Sequence, residues 1–297
     1  MSGCLKIRAE VFMSVESLRL PAPAKLNLML RVVGRRPDGY HLLQTVFQFI
    51  DRCDWIELMP SQDGRISLSK PLAGVPEESD LTVRAAHLLR RTAGDESLGA
   101  VITVEKNLPM GGGLGGGSSD AATTLLGLNS LWKLGLSIDT LANLGLQLGA
   151  DVPVFVRGYA AWGEGVGEDL TPLPDLPEPW YLVLVPPCHV VTGTIFSSTE
   201  LTRDNKPIKI ADFVAGQQEN HCLPVVMKMY PQIGEAIKAV AAYARSAKLT
   251  GTGSCVFAAF DSEADAENAA RSLSGEWSVF AAKGMNRSSV HSALGLI

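Results

Sequence analysis

The chain has 297 residues, 46% of them hydrophobic, which is enough apolar material for one large or two modest domains. A formal net charge of -5 excludes it as a good sequence-independent binder of nucleic acid, which needs clustered cations to neutralise phosphates. The apolar run Trp180–Val185 is far shorter than the roughly 20 residues that cross a bilayer, and Lys6, Arg8, Glu10 and Glu16 interrupt any secretory leader, so a cytoplasmic protein with no membrane partner is expected.

Residues 1–20 read in part as a flexible extension. Pro23-Ala24-Lys25-Leu26-Asn27-Leu28 opens the first clear strand, with Lys25 and Asn27 on one face and Leu26, Leu28 and Leu30 on the other. Ile56 and Leu58 mark another strand. Leu81, Ala85, Leu88 and Leu89 recur at helical spacing, which predicts an amphipathic helix from Asp80 to about Thr92. A strand over 100–105 follows, then a run of glycines, then helices over 120–132 and 137–148. Pro172, Pro174, Pro177 and Pro179 suit a connection, and they divide the chain into domains at 1–175 and 176–297. Beyond it the pattern alternates: strand 181–185, helix 231–244, strand 255–260, helix 263–273, strand 278–283. This order predicts an α+β sandwich with antiparallel strands covered by helices on one face.

The glycine run is the most unusual segment. Pro109, Met110, Gly111, Gly112, Gly113, Leu114, Gly115, Gly116, Gly117, Ser118 and Ser119 lie between a strand and a helix, with six glycines in seven residues. A backbone so free of side chains can turn several N–H groups toward one point, and the following helix adds the positive end of its dipole. Together these make an anion site suited to a polyphosphate. A flexible linker would not be flanked so closely by a strand and an apolar helix. Gly111, Gly113 and Gly116 satisfy GxGxxG, yet the acid-ended second strand of a dinucleotide fold is replaced by helix. No lysine follows the glycines as a Walker loop requires, and protein-kinase signatures are absent.

Asp151 stands alone in the apolar run Gly149-Ala150-Asp151-Val152-Pro153-Val154-Phe155, where a carboxylate requires a partner or a role; Lys25 is the candidate partner. Leu249-Thr250-Gly251-Thr252-Gly253-Ser254-Cys255 is a second glycine turn able to approach a ligand. Glu164 and Glu168 flank glycines and read as hairpin residues; His87, His189, His221 and His291 read as structural. The five cysteines are scattered with no CxxC pair and are expected as free thiols.

The PAKLNL start, the GGGLGGGSS loop and the LTGTGSC turn together resemble the three motifs of the GHMP kinase superfamily. Gly34-Arg35-Arg36-Pro37-Asp38-Gly39-Tyr40-His41, Leu43-Gln44-Thr45-Val46-Phe47, 148–155 and Ala282-Lys283-Gly284 narrow the resemblance to members acting on a cytidine-diphosphate-linked polyol, from about Pro21 onward. The resemblance implies an N-terminal domain like ribosomal protein S5 domain 2, a ferredoxin-like C-terminal domain, and an active site between them. It implies ATP as co-substrate with Mg2+ carried on its phosphates, no dedicated metal ligands, and transfer to the 2-hydroxyl of 4-diphosphocytidyl-2-C-methyl-D-erythritol in the non-mevalonate route to isoprenoids. By that match Lys25 and Asp151 are catalytic, 109–119 binds ATP, and Asn27, Tyr40, His41, Phe47 and Phe196 hold the substrate, with Tyr40 and Phe196 enclosing the cytosine. Asp80 departs from the asparagine often found there, which puts a side-chain amide contact to adenine in doubt. A monomer or homodimer is expected. The alternatives are another GHMP kinase, of the homoserine or mevalonate type, and a catalytically silent nucleotide-binding module.

Overall fold

A computed structural model describes residues 17–296. In chain order it contains β1 (Leu18–Arg35), β2 (His41–Ser61), β3 (Ile66–Leu68), α1 (Leu81–Ala93), β4 (Gly99–Glu105), α2 (Gly116–Leu131), α3 (Ile138–Leu146), α4 (Val152–Arg157), β5 (Ala161–Glu164) and β6 (Asp169–Pro172). There follow β7 (Trp180–Val185), α5 (Thr192–Ser197), α6 (Ile210–Val214), α7 (Leu223–Met229), α8 (Pro231–Ala241), β8 (Lys248–Leu249), β9 (Val256–Phe260), α9 (Glu263–Leu273), β10 (Ser278–Met285) and α10 (Ser289–Ala293). Most expected elements lie within a few residues of their predicted bounds. Helix α2 differs because its first turn is made by Gly116 and Gly117, so the glycine run itself enters the helix. Leu18 to Leu20 already belong to β1; residues 1–16 of the expected extension lie outside the described residues.

Strand β2 organises the sheet. It pairs with β1, β4 and β5, and its Phe49 and Ile50 pair with Met285 and Gly284 of β10. Through β10 the sheet continues into β7, β9 and β8, so one hydrogen-bonded surface runs through both halves of the chain. Among the described residues all strand-to-strand pairings are antiparallel except β3 with β4, and an isolated parallel bridge joins Leu30 of β1 to Asn220. The β1–β2 register slips between Asn27 and Met29, a bulge that increases twist and re-aims side chains. There the Asn27 N–H donates to Thr250 Oγ1 at 3.0 Å, tying β1 to the late glycine turn.

Four buried clusters follow from this layout, the smallest around Met29, Val46, Trp162 and Phe213. One packs α1, α2 and α4 on β1 and β2 around Leu58, Leu89, Leu125 and Phe155, and it also takes in Val290 of α10. A second packs α7, α8 and α9 on β7 and β9. The third joins them: Leu26, Ile50, Leu114, Val183, Cys255 and Phe257 come from both halves. Leu114, the one non-glycine between Gly111 and Gly117, is therefore an apolar anchor for the loop.

Helix α2 lies so close to the sheet that a Cβ added at Gly127 would sit 2.7 Å from Leu20 Cδ1 and overlap Leu58. Gly127→Val is expected to cost roughly 1–3 kcal/mol through overpacking, since valine recovers little helix propensity. Thermal denaturation checks this, and an unchanged midpoint would contradict the close packing.

Candidate active site

A cleft of about 610 Å³ opens between the glycine loop, β1, the start of α4 and α5. Lys25, Asn27, Phe47, Asp151 and Phe196 all line it, with residues 109–118 forming one wall. The centre of its chemistry is the Lys25 ammonium. Its Nζ donates to Asn27 Oδ1 at 2.6 Å and to the Gly113 carbonyl at 3.0 Å, and it stands 3.2 Å from Asp151 Oδ2. The Lys25 side chain is 3% exposed while that of Asp151 is 35% exposed, so the pair is sealed on the lysine side and open on the carboxylate side. Asp151 occupies the N-cap position of α4 but makes no capping bond, which leaves its carboxylate turned toward Lys25 and the cleft.

The glycine loop is pinned from two sides. Lys25 N–H donates to the Leu114 carbonyl, and Cys255 N–H donates to the Gly112 carbonyl. Thr250 Oγ1 adds a bond to the Gly113 carbonyl at 3.1 Å. Gly113 has φ +78, and a Cβ there would overlap the Thr250 carbonyl oxygen, so only glycine fits. Gly116, Gly117 and Ser118 open α2 and have no helical acceptors for their N–H groups. Those donors and the helix dipole make a surface suited to an anion. Ser119 is fully buried and its Oγ has no partner, so its hydroxyl lies beneath the cradle and outside the cleft lining.

The residues expected on the substrate side are distributed less evenly. Asn27 Nδ2 donates to Thr45 Oγ1, which fixes the amide oxygen toward Lys25. Phe196 stacks on His41 with centroids 4.9 Å apart and rings inclined by 28°. Tyr40 is 62% exposed on the turn before β2 and is not part of the cleft wall, so Phe196 faces His41 and is not brought together with Tyr40 there. Asp80 lines the cleft and caps α1: its Oδ1 accepts from Thr82 N at 2.8 Å and Val83 N at 3.3 Å. Asp and Asn serve equally well as caps, which accounts for aspartate at this position. Glu164 and Glu168 belong to the β5–β6 hairpin, where Glu164 pairs with Asp169, Glu164 Oε1 accepts from Gln44 Nε2, and Glu168 accepts from Val166 N–H.

A buried triad was missed by sequence reasoning. Lys106 reaches both Asp54 and Asp120, while Asp54 also accepts from Asn107 N–H and from Leu108 N–H at 2.8 Å. One ammonium cannot neutralise two nearly buried carboxylates, here at the edge of the cleft that Lys106 and Asp120 also line. Burial pushes Asp120 up to about 7 against the pull of Lys106, with Asp54 adding to the rise. Lys106 itself is raised: burial works against its charge, but Asp120 and Asp54 outweigh it. Asp120 Oδ1 has no partner, and the triad supports the strand end that leads into the loop. Its one signal in the sequence was a lone aspartate on the apolar face of a helix.

Comparison with known proteins decides the family. The chain is 58% identical over 287 residues to the 4-diphosphocytidyl-2-C-methyl-D-erythritol kinase of Methylococcus capsulatus, covering 97% of this chain and 98% of that one. The enzyme of the same name from Nitrosococcus oceani is 56% identical over 90% of this chain and 95% of that one. The chain belongs to the GHMP kinases, in the 4-diphosphocytidyl-2-C-methyl-D-erythritol kinase family. Profiles described as GHMP kinases N terminal domain and GHMP kinases C terminal match residues 80–159 and 203–279. A crystal structure of 4-(cytidine 5'-diphospho)-2C-methyl-D-erythritol kinase superposes with a TM-score of 0.78 at 33% identity, covering 90% of this chain and 99% of that one. A mevalonate kinase structure, at 16% identity and a TM-score of 0.67, shares the fold, covering 91% of this chain and 100% of that one. The α+β architecture is thus that of the GHMP kinases, and the protein is a phosphotransferase. No helix among the described residues is long and apolar enough to cross a membrane.

The Asp120 shift has a direct consequence for stability. With a native value near 7 and an ordinary one of 3.8, the native state holds a proton that the unfolded chain has released between about pH 4 and pH 7. This contribution is complete below the ordinary value and is lost as pH rises through about 7. Asp120→Asn has nothing to titrate there, so its unfolding midpoint should gain on that of the wild type as pH rises across the window. A midpoint difference independent of pH would contradict the assignment.

Proposed function

We propose that the protein transfers the γ-phosphoryl group of ATP to the 2-hydroxyl of 4-diphosphocytidyl-2-C-methyl-D-erythritol in the non-mevalonate route to isoprenoids. The observation that carries this reading is the 3.2 Å Lys25–Asp151 pair, open to a cleft walled by an anion-binding glycine loop. The acceptor names of the relatives supply the substrate. The two-domain reading, 1–175 and 176–297, places the cleft between the halves.

In this mechanism the loop N–H groups and the α2 terminus hold the ATP phosphates, leaving the γ-phosphorus facing Asp151. Asp151 takes the proton of the 2-hydroxyl as that oxygen bonds to the γ-phosphorus. The bond between that phosphorus and the β,γ-bridging oxygen breaks, and ADP leaves with the bridging oxygen. A base at ordinary carboxylate strength suffices, because proton loss becomes easy only late in a loose transfer. Lys25 offsets the Asp151 charge and the charge on the transferring group. Asn27 orients Lys25 through the 2.6 Å bond. Phe47, His41, Phe196 and Tyr40 are assigned to the substrate side. Mg2+ would be held chiefly on the ATP phosphates, and the Ser118 hydroxyl and Asp151 carboxylate, which both line the cleft, are the groups that could hold it there. When bound, it neutralises phosphate charge. The four described cysteines are free thiols, which supports a reducing cytoplasm.

Asp151→Asn keeps size and removes the base, so turnover should fall by about 10²–10⁴-fold while ATP affinity is retained. Lys25→Met should also lose turnover, and the double variant should lose less than the product of the single effects. Single-turnover assays with the cytidyl substrate decide this, with homoserine and mevalonate as competing acceptors. Near-normal transfer by Asp151→Asn would remove it as the base.

Gly115 has φ +73, and a Cβ there would lie 2.8 Å from Phe155 and 3.0 Å from Lys25 Cε. Gly115→Val should therefore displace the loop and sharply weaken ATP binding. Calorimetric titration with a non-hydrolysable ATP analogue measures it, and unchanged affinity would exclude the cradle.

A further inference from the structure

The Asp54–Lys106–Asp120 cluster takes no part in the phosphoryl transfer, yet it lies directly beneath the start of α2. A Cβ added at Gly116, the first residue of α2, would stand 3.4 Å from both Asp54 Oδ2 and Lys106 Nζ. Lys106, Gly116 and Asp120 all line the cleft. No side chain therefore separates the N–H groups suited to an anion from two carboxylates that share one ammonium.

Hydrogen bonds distinguish the two carboxylates. Asp54 Oδ1 accepts from Asn107 N–H at 2.6 Å and from Leu108 N–H at 2.8 Å, and its Oδ2 accepts from Lys106. Both of its oxygens face donors, which favours the ionised form. Asp120 Oδ2 accepts from Lys106 at 2.8 Å, but its Oδ1 is buried and has no partner. A bare buried carboxylate oxygen is costly, and a proton on it removes the charge that burial penalises. With Asp120 protonated, the Asp54 and Lys106 charges cancel. With both carboxylates ionised, the cluster carries a net negative charge under the helix terminus.

We propose that nucleotide binding in the cleft is coupled to a proton on Asp120: the cluster admits an anion above it as a neutral unit and opposes that anion once both carboxylates are ionised. This rests on the reading of the cleft as the nucleotide site, and it adds a dependence on pH that the catalytic pair does not supply.

The surroundings leave this cluster in control of its own charge. Burial is the largest influence on Asp120 and carries it up to about 7; Lys106 pulls the other way and Asp54 adds to the rise. Helix α2 has no other charged side chain, and its N-terminal dipole favours ionisation without offsetting the burial. Helix α1 turns Leu81 toward the first turn of α2. Cys53, next to Asp54, is a neutral thiol, pushed up by burial and then by Asp54. Glu105, next to Lys106, pairs with Arg19, and Lys25 across the cleft is met by Asp151. A bound anion favours the protonated form, so it raises the Asp120 value further and draws in a proton where the free protein lacks one. Affinity is therefore full below about 7 and falls as pH rises through that value, until the higher value of the bound state is passed. At an effective dielectric of about 20, one charge roughly 10 Å away moves a carboxyl by about one pH unit, which corresponds to about tenfold in affinity.

Two measurements test the proposal. In the first, carboxyl-carbon NMR of the full-length wild-type protein is followed from about pH 5.5 to 9, with and without a saturating non-hydrolysable ATP analogue and Mg2+. One carboxyl should titrate near 7 in the free protein, well apart from the ordinary carboxyl range, and about one pH unit higher with the analogue. A midpoint that the analogue does not move overturns the coupling, as does the absence of any carboxyl titrating near neutrality. This arm needs no variant. In the second, calorimetry gives the Kd of the analogue for the wild type and Asp120→Asn from about pH 6 to 8.5. Asparagine keeps an acceptor for Lys106 and has no proton to lose. Titration of the analogue's own phosphates is common to both proteins, so the ratio of the two Kd values isolates Asp120. The proteins should bind alike near pH 6, and the wild type should be about tenfold weaker near pH 8.5. A ratio that is constant with pH marks a merely structural role and overturns the coupling alone. No binding by either protein at any pH overturns the nucleotide reading of the cleft and the coupling with it.

Discussion

The arrangement depends on one buried ammonium group. Lys25 Nζ has three N–H bonds and three oxygens around it, from Asn27 on its own strand, Gly113 in the glycine loop and Asp151 at the head of α4. A lone buried cation would be prohibitively costly, so the three elements must converge for it to be tolerated. The same cation thereby sets the distance between the glycine loop and the Asp151 carboxylate. The proposed catalytic geometry and the satisfaction of a buried charge are here one requirement.

Around that point the protein uses rigid backbone wherever a ligand comes close and side chains only where proton or ring chemistry requires them. The glycine loop looks flexible by composition, yet Leu114 is sunk in the cluster joining both halves and backbone bonds hold it on two sides. Its open conformations are spent on positive φ at Gly111, Gly113 and Gly115, not on motion. The bulge after Asn27 serves the same end by bringing the late glycine turn onto β1.

Much of this was legible in the chain because local spacing encodes it. Lys25 and Asn27 at i and i+2 share a strand face, Asp151 breaks an apolar run, and the glycines sit between a strand and a helix. Both faces of the Lys25–Asn27 stretch proved to be buried, which alternation alone does not reveal. The short helices α4 to α7 went unread because five to seven residues are too few for a 3.6-residue period to declare itself. Lys106 and Arg203 went unread for another reason. Each is a solitary cation whose meaning comes from partners brought near by the sheet, Asp54 at 52 positions and His41 at 162.

The last strand and helix carry a consequence for the order in which the molecule can be made. β10 supplies the seam between the halves, Val290 completes the first cluster, and His291 Nε2 lies 2.8 Å from the Val156 carbonyl in the helix that Asp151 heads. Ala160 N–H and the Gly158 carbonyl bond to Asn286 and Ser288 nearby. During synthesis the first half therefore leaves the ribosome with an unfilled place in its core and an unbuttressed α4, however early its sheet forms. The Asp151 carboxylate reaches its final setting only when the segment around His291, which emerges later, is laid back across residues translated some 130 positions before it.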